Sequence, residues 1–198
     1  MQHDASARRN APGRLVFLVG PSGSGKDSLI DAAREQLAAA GVEVARRTIT
    51  RSAEAKGEAA HSVSPERFAA LRGEGAFCMH WQANGLEYGI PAQVDQWLMQ
   101  GRCVLVNGSR AYLPEARRRY PGLLAISLQV EPAVLRQRLL ARGRETPEQI
   151  EQRLARNATF QLEADQPVHL LDNSGSLTAA VGRLIALLRE QGGYAVQD

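Results

Sequence analysis

The sequence predicts an α/β protein, a parallel sheet with helices on both faces. Three observations carry that prediction. Short continuous apolar runs, the mark of strands buried on both faces, recur along the chain. Stretches of helical periodicity separate them, so strands alternate with helices. A glycine-rich turn, "GPSGSGKDSL" at residues 20–29, joins the first apolar run to the first helix.

"RLVFLVG" (residues 14–20) is the first buried strand. In "KDSLIDAAREQLAAAG", Leu29, Ile30, Ala33 and Leu37 recur at helical spacing, and Gly41 is the stop. "VEVARRTIT" reads as a second strand. From Arg51 to about Pro91 the regular pattern lapses. "SAEAKGEAAHSVS" is loop-like, "SPERFAALRGEG" a short helix, and "CMHWQANGLEYGIP" scatters aromatics among turn residues. "AQVDQWLMQG" is a helix ending at Gly101, and "RCVLVNG" and "LLAISLQV" are further buried strands. Pro132 opens the helix "PAVLRQRLLARG". In "TPEQIEQRLARN", Thr146 is the N-cap, Pro147 the first helical residue and Gln149 completes a capping box. "VHLLDNSG" is the last strand. "SLTAAVGRLIALLREQGG" is a closing amphipathic helix through Leu177, Val181, Leu184, Ile185 and Leu188.

The 198 residues suffice for one domain with a substantial core. A net charge of +3 suits an anionic ligand but is too mild to argue for nucleic acid. Of 24 basic residues only Lys26 and Lys56 are lysines, and Lys26 lies in the glycine loop. Cys78 and Cys103 have neither metal-ligand nor redox spacing and read as buried thiols of a cytoplasmic protein. No apolar run is long enough to span a membrane. Residues 1–13 lack the apolar segment of a secretory signal and read as a disordered tail. Monomer and homodimer both stay open.

A bound phosphate needs several N–H donors converging on it. Gly20, Gly23 and Gly25 let the backbone come close, and the helix starting at Lys26 adds its positive end. Lys26 can reach the β- and γ-phosphates. With Pro21, Ser22, Ser24, Asp27 and Ser28, this run is a P-loop candidate for binding ATP, placed between strand and helix as the motif requires. The pattern asks for Ser or Thr after the lysine, where a hydroxyl holds Mg²⁺; here that residue is Asp27. Two readings stay open. Asp27 ligates Mg²⁺ by carboxylate, directly or through water, or it is a first-turn acid suited to the helix dipole. Ser28 is a poor replacement, since it lies about 100° further around the helix.

"LRQRLLARGRETPEQIEQRLARN" puts Arg138 and Arg142 on one helical face, with a break at Gly143 and then Arg144 and Arg153. Phosphoryl transfer rests on positioning and charge stabilisation. A hinged segment that lays arginines over a γ-phosphate would supply both. Arg117, Arg118 and Arg119 read instead as a solvated basic face.

From Arg14 onward the chain resembles the guanylate kinase family. "GPSGSGK", "TITR", "YGIP", "RLLARGRETPEQIEQRL" and "NSGSL" fall in that family's order. The resemblance implies a nucleoside-monophosphate-kinase-like core in a single domain over residues 14–198. It also implies an acceptor-binding insertion at about 46–91 and a mobile lid at about 138–156. It assigns Arg142 and Arg153 to the transferred phosphate and Arg138 to the neighbourhood of the ATP base. Arg51 and Tyr88 match groups that hold the acceptor's phosphate. Asn107 joins the acceptor-side candidates, standing where the family has an acidic residue after the central strand.

The departures gather where guanine would be read. The family's guanine-binding glutamate falls on Met79, its base-contacting Ser/Thr on Ile90, and its late aspartate on Ser109. The second arginine of "TTRxPR" is replaced within "SAEAKGE". The closer resemblance is to the ribose 1,5-bisphosphate phosphokinase family, guanylate-kinase-like enzymes that make 5-phosphoribosyl 1-diphosphate. "GPSGSGKDSL" and "HWQANGLEYGIP" carry it. That implies ATP and Mg²⁺, a phosphorylated sugar as acceptor, and service in phosphonate breakdown or salvage. An anionic phosphate acceptor needs no general base, so no histidine has to serve as one. The alternatives are a guanylate kinase acting on GMP and a non-catalytic guanylate-kinase-like binding module.

Overall fold

The computed structural model describes residues 13–51, 60–143, 145–159 and 167–192. Residues 1–12 of the expected tail, residues 52–59 of the expected loop, Arg144 and the final residue expected in the closing helix, Gly193, lie outside the described residues. Gly13, expected in the tail, is anchored: its N–H donates to the Leu98 carbonyl at 2.8 Å.

The elements run β1 (Arg14–Val19), α1 (Lys26–Ala39), β2 (Val42–Val44), β3 (Thr48–Ile49), β4 (His61–Ser62), α2 (Pro65–Gly73), β5 (Phe77–Ala83) and β6 (Leu86–Pro91). They continue with α3 (Gln93–Met99), β7 (Cys103–Asn107), α4 (Leu113–Arg119), β8 (Leu124–Gln129), α5 (Pro132–Arg142), α6 (Pro147–Thr159), β9 (His169–Asp172) and α7 (Leu177–Glu190). Five strands form a parallel sheet in the order β2-β7-β1-β8-β9. Alternation along β1 divides the core between its faces. Val16 and Leu18 pack with α1 and α7 through Leu29, Ala33, Leu37, Val181, Leu184 and Leu188. Leu15, Phe17 and Val19 face the other way, toward Val94, Leu113 and Ala116.

That second face also packs against a four-stranded sheet, β4-β3-β6-β5, through Met79, Trp81 and Ile90. Here two expectations need correction. The run expected as one strand over residues 42–50 is two. Val42–Val44 pairs with β7, whereas Thr48–Ile49 pairs with β6 in the second sheet. The run is β-prone throughout, so nothing local marks the change of sheet at Arg46 and Arg47. The aromatic stretch is a hairpin, β5 and β6 joined at Asn84 and Gly85, both with positive φ (52° and 74°). "NG" between alternating residues is the strong sequence signal for that turn.

Smaller differences have plain causes. Leu177 is 40% exposed at the first position of α7, with Ala180 buried instead. Residues 113–119 form α4, whose arginines are anchored rather than merely solvated. Arg119 pairs with Asp95 at 2.8 Å, and Arg117 holds the Pro167 carbonyl at 3.1 Å. The capping box of α6 forms in both directions. The Thr146 N–H donates to Gln149 Oε1 at 2.9 Å, and the Gln149 N–H to Thr146 Oγ1 at 3.3 Å. No helix among the described residues is long and apolar enough to cross a membrane.

Cys78 and Cys103 are buried thiols. Burial pushes Cys103 up to about 11, because the thiolate would lose its hydration. The unfolded thiol, near 9.0, deprotonates first, so this contribution is intact below pH 9 and lost as pH rises through about 11. Replacing Cys103 with Ala should therefore flatten the fall in stability between those pH values, read by urea denaturation. The wild-type thiol should resist alkylation at pH 8 until the protein unfolds.

Candidate active site

The segments following β1, β7, β8 and β9 gather at the carboxyl ends of the strands, where α/β sheets bind ligands. They line a cleft of about 1010 Å³. The loop after β1 forms its floor. Gly23 and Gly25 take φ of 88° and 86°, which glycine alone adopts without strain. A Cβ on Gly20 would lie 2.9 Å from Ser24 Oγ. α1 begins at Lys26, so its unpaired N–H groups point into the cleft. Lys26 Nζ lies over the loop, donating to the carbonyls of Gly20 and Pro21 at 2.9 and 3.2 Å.

The β8–β9 side of the loop carries one set of polar groups. Asn173 Nδ2 and Arg138 NH1 both donate to the Ser24 carbonyl, at 2.6 and 3.5 Å. Arg138 and Arg142 share a face of α5, which ends at Gly143 with φ 60°. From α6, Arg153 NH1 donates to Ser22 Oγ at 2.6 Å while its NH2 pairs with Glu145 at 2.5 Å. All of these residues line the cleft.

The β7 side faces the second sheet. Arg51, Tyr88, Trp81, Ala83, Asn84, Ser109 and Arg110 line it. Trp81 stacks on Tyr88 at 5.6 Å and tilts against Tyr112 at 5.2 Å, so it is both core and wall. Asp27 stands at the junction of the two sides. Its Oδ1 accepts from Asn107 Nδ2 at 2.6 Å and from Arg47 NH2 at 3.3 Å. Arg47 NH1 donates to the Asn107 carbonyl at 3.2 Å, and its guanidinium lies 5.3 Å from the Tyr88 ring centre.

The structure thus brings Gly20, Ser22, Gly23, Gly25, Lys26, Asp27, Ser28, Arg51, Tyr88, Arg138, Arg142 and Arg153 to one cleft. Pro21 and Ser24 shape the loop behind it, joined by a Ser24 N–H to Pro21 carbonyl bond of 3.1 Å. Asn107 does not line the cleft. It is 4% exposed beneath Asp27, and its Oδ1 has no hydrogen-bond partner among the described residues. Met79 and Ile90 are core residues, 1% and 0% exposed, so of the three departures from the guanine-reading pattern only Ser109 reaches the cleft. His80 is exposed outside it. Sequence reasoning missed Arg47, Arg110, Asn157 and Asn173. Arg47 and Arg110 sit beside residues that were singled out, but arginine is abundant here and spacing does not separate them from surface residues.

No family model matches the chain. Among curated proteins it is 62% identical over 176 residues to ribose 1,5-bisphosphate phosphokinase PhnN of Pseudomonas paraeruginosa, covering 89% of this chain and 95% of that one. The chain belongs to the ribose 1,5-bisphosphate phosphokinase PhnN family. A second relative of that name, from Azotobacter vinelandii, is 60% identical over 90% of this chain and 97% of its own. The fold is also that of solved P-loop kinases. A guanylate kinase from Anaplasma phagocytophilum superposes with a TM-score of 0.66 at 16% identity, covering 92% of this chain and 87% of that one. A sugar kinase from Janibacter sp. HTCC2649 superposes with a TM-score of 0.52 at 19% identity, over 90% and 95%. The PhnN cleft therefore lies on a guanylate-kinase-like scaffold.

Lys26 is half-buried, and its Nζ lies over the P-loop on the carbonyls of Gly20 and Pro21. A lysine that neutralises a transition-state phosphate is worth about 10²-fold or more in kcat, and Lys26→Ala tests that role. The midpoint of thermal unfolding without nucleotide should fall by only a few degrees, since what is lost is two part-exposed hydrogen bonds to loop carbonyls, at about 0.5–1.5 kcal/mol each. Steady-state assay and calorimetry check the two halves.

Proposed function

We infer that the chain transfers the γ-phosphoryl group of ATP to the 1-phosphate of ribose 1,5-bisphosphate, giving 5-phosphoribosyl 1-diphosphate and ADP. What supports it most directly is a two-sided cationic cleft in a PhnN-family chain: a P-loop with arginines on one side, an acceptor wall with Arg51 and Tyr88 on the other. The bond from γ-phosphorus to the ADP oxygen breaks as one forms to a 1-phosphate oxygen. That oxygen is already anionic, so no base is required. The protein's task is to hold mutually repelling phosphates in line.

In this reading the N–H groups of residues 20–28 and Lys26 hold the ATP phosphates. Arg142 and Arg153 neutralise the moving phosphoryl, and Arg138 lies toward the base. Arg51 and Tyr88 hold the acceptor's 1-phosphate. Asn107 acts on the acceptor side through Asp27 and Arg47. Residues 14–198 are one domain with an acceptor-binding insertion at about 46–91 and a lid at about 138–156. The enzyme is a cytoplasmic monomer or homodimer with neither nucleic acid nor membrane as partner. Retention of Lys26, Arg142 and Arg153 on the cleft argues against a non-catalytic module. Burial of Met79 and Ile90 leaves no guanine-reading groups at those positions.

The residues fit a magnesium ion at Asp27. Its side chain is 36% exposed on the cleft wall next to Lys26, and Oδ1 is pinned by two donors, which fixes the carboxylate's orientation. A hard cation prefers such an oxygen. When bound, Mg²⁺ supplies charge neutralisation of the phosphates. Asp27→Asn keeps an oxygen for Asn107 and Arg47 but removes the charge. It should raise the Mg²⁺ concentration for half-maximal rate, and an unchanged Mg²⁺ dependence would leave Asp27 only its structural contacts.

The assay that decides the reaction is an acceptor panel with ATP and Mg²⁺. ADP should appear with ribose 1,5-bisphosphate and little or none with GMP, dGMP or AMP. Met79 and Ile90, on which the guanine-reading positions fall, are apolar and buried, so neither can hydrogen-bond a base. The product should show diphosphate signals by ³¹P NMR. Efficient phosphorylation of GMP alone would overturn the assignment.

A further inference from the structure

A ribose bisphosphate carries two phosphates, and the groups assigned so far account for the reacting one. The cleft holds a second anion-ready place. Arg110 follows β7 by three residues and donates through NH2 to Asn157 Oδ1 at 2.6 Å, joining the acceptor wall to α6. Arginine has only donors, so it fixes the Asn157 amide with oxygen toward itself and Nδ2 turned away. That Nδ2 is buried with no hydrogen-bond partner among the described residues. Both residues line the cleft. Burial draws the Arg110 guanidinium below its ordinary value, because desolvation penalises the cation. A guanidinium and a buried amide donor side by side are thus poised for oxygen acceptors of negative charge.

Position separates this place from the nucleotide. Arg138 and Asn173, which touch the phosphate loop, come from the β8 and β9 side, whereas Arg110 comes from the β7 side that faces the second sheet. It also separates it from the transfer point. Asn157 lies one turn beyond Arg153 on α6, about 6 Å along the axis on the same face. Arg153 is the residue that meets the phosphate loop at Ser22. A phosphate bound by Arg110 and Asn157 would therefore sit to one side of the reacting centre, about one helical turn from Arg153.

We propose that Arg110 and Asn157 bind the 5-phosphate of the acceptor and so select a ribose bisphosphate over a ribose monophosphate. This rests on the reaction inferred above. Because Asn157 belongs to α6, the same contact couples recognition of the second phosphate to docking of the segment that carries Arg153. An acceptor without a 5-phosphate would leave the amide donor unmet and Arg153 less well placed.

The test uses the full chain, wild type and Arg110→Met, Arg110→Lys and Asn157→Ala, with ATP and two acceptors, ribose 1,5-bisphosphate and ribose 1-phosphate. Ribose 5-phosphate, which carries only the second phosphate, serves as inhibitor. In Arg110→Met the preference for the bisphosphate, as the ratio of kcat/KM values, should fall about 10–100-fold, the range for a lost charge-assisted hydrogen bond. The inhibition constant of ribose 5-phosphate should rise in step. Arg110→Lys should fall between, since it keeps the charge and loses the fork. Asn157→Ala should lose part of the same preference. A ratio and an inhibition constant unchanged in a folded Arg110→Met protein, or equal losses on both acceptors, overturn the proposal while leaving the reaction standing. A wild type inert toward ribose 1,5-bisphosphate overturns both.

Discussion

One carboxylate joins the parts of this molecule that must act together. Asp27 belongs to the first turn of α1, Asn107 to the end of β7, and Arg47 to the link between the two sheets, and Asp27 Oδ1 accepts from both. Through Arg47, which is 8% exposed and lies against Tyr88, the contact reaches the second sheet. A buried guanidinium is tolerable only beside compensating charge and oxygen acceptors. The Asn107 carbonyl and the Asp27 carboxylate are among those it has. Phosphate loop, central sheet and second sheet are therefore held in register by hydrogen bonds that meet within a few ångströms. Loops alone would leave the second sheet's distance from the P-loop poorly determined.

The second constraint is like charge. Seven arginines and Lys26 line the cleft, against Asp27 and Glu145. Such a wall repels itself, and the fold manages this by giving many of these side chains oxygen partners. Lys26 rests on two loop carbonyls, Arg138 reaches a third, Arg153 spans Ser22 and Glu145, and Arg110 holds Asn157. These are contacts that phosphate oxygens can replace at small cost. The segment carrying Arg142 and Arg153 is two helices with defined ends. α5 ends at Gly143 in the left-handed region, and α6 opens on the Thr146–Gln149 capping box.

The central sheet was legible in the sequence because its strands are buried on both faces and read as continuous apolar runs. The face of α1 was legible for the same reason: Leu29, Ile30, Ala33 and Leu37 are the residues it buries. The second sheet was not. Its strands β3 and β4 are two residues each, too short for any period to declare itself. β5 alternates only in part and shifts register between Phe77 and Met79. In the cleft, residues anchored to a motif could be named by position. Arg47 and Arg110 could not, since their importance lies in burial and in partners 20 and 47 residues away. Met79 and Ile90 show the converse. Alignment marked them as altered recognition groups, yet packing makes them the floor beneath the wall.

The unusual P-loop and the altered strand end are best understood as one change. In the guanylate kinase pattern that this chain resembles, a hydroxyl follows the lysine and an acid ends the central strand. Here an acid, Asp27, follows the lysine and an amide, Asn107, ends the strand. The two side chains lie 2.6 Å apart. One carboxylate and one neutral hydrogen-bonding group are kept across a single contact with their places exchanged. The net charge across the contact is the same, but its carrier now stands on the first turn of α1. Reverting either residue alone would put two acids, or none, into that contact. Two carboxylates at hydrogen-bond distance cannot both ionise, and with none Arg47 loses a charge partner. Asp27 and Asn107 should thus depend on each other more than on any third residue.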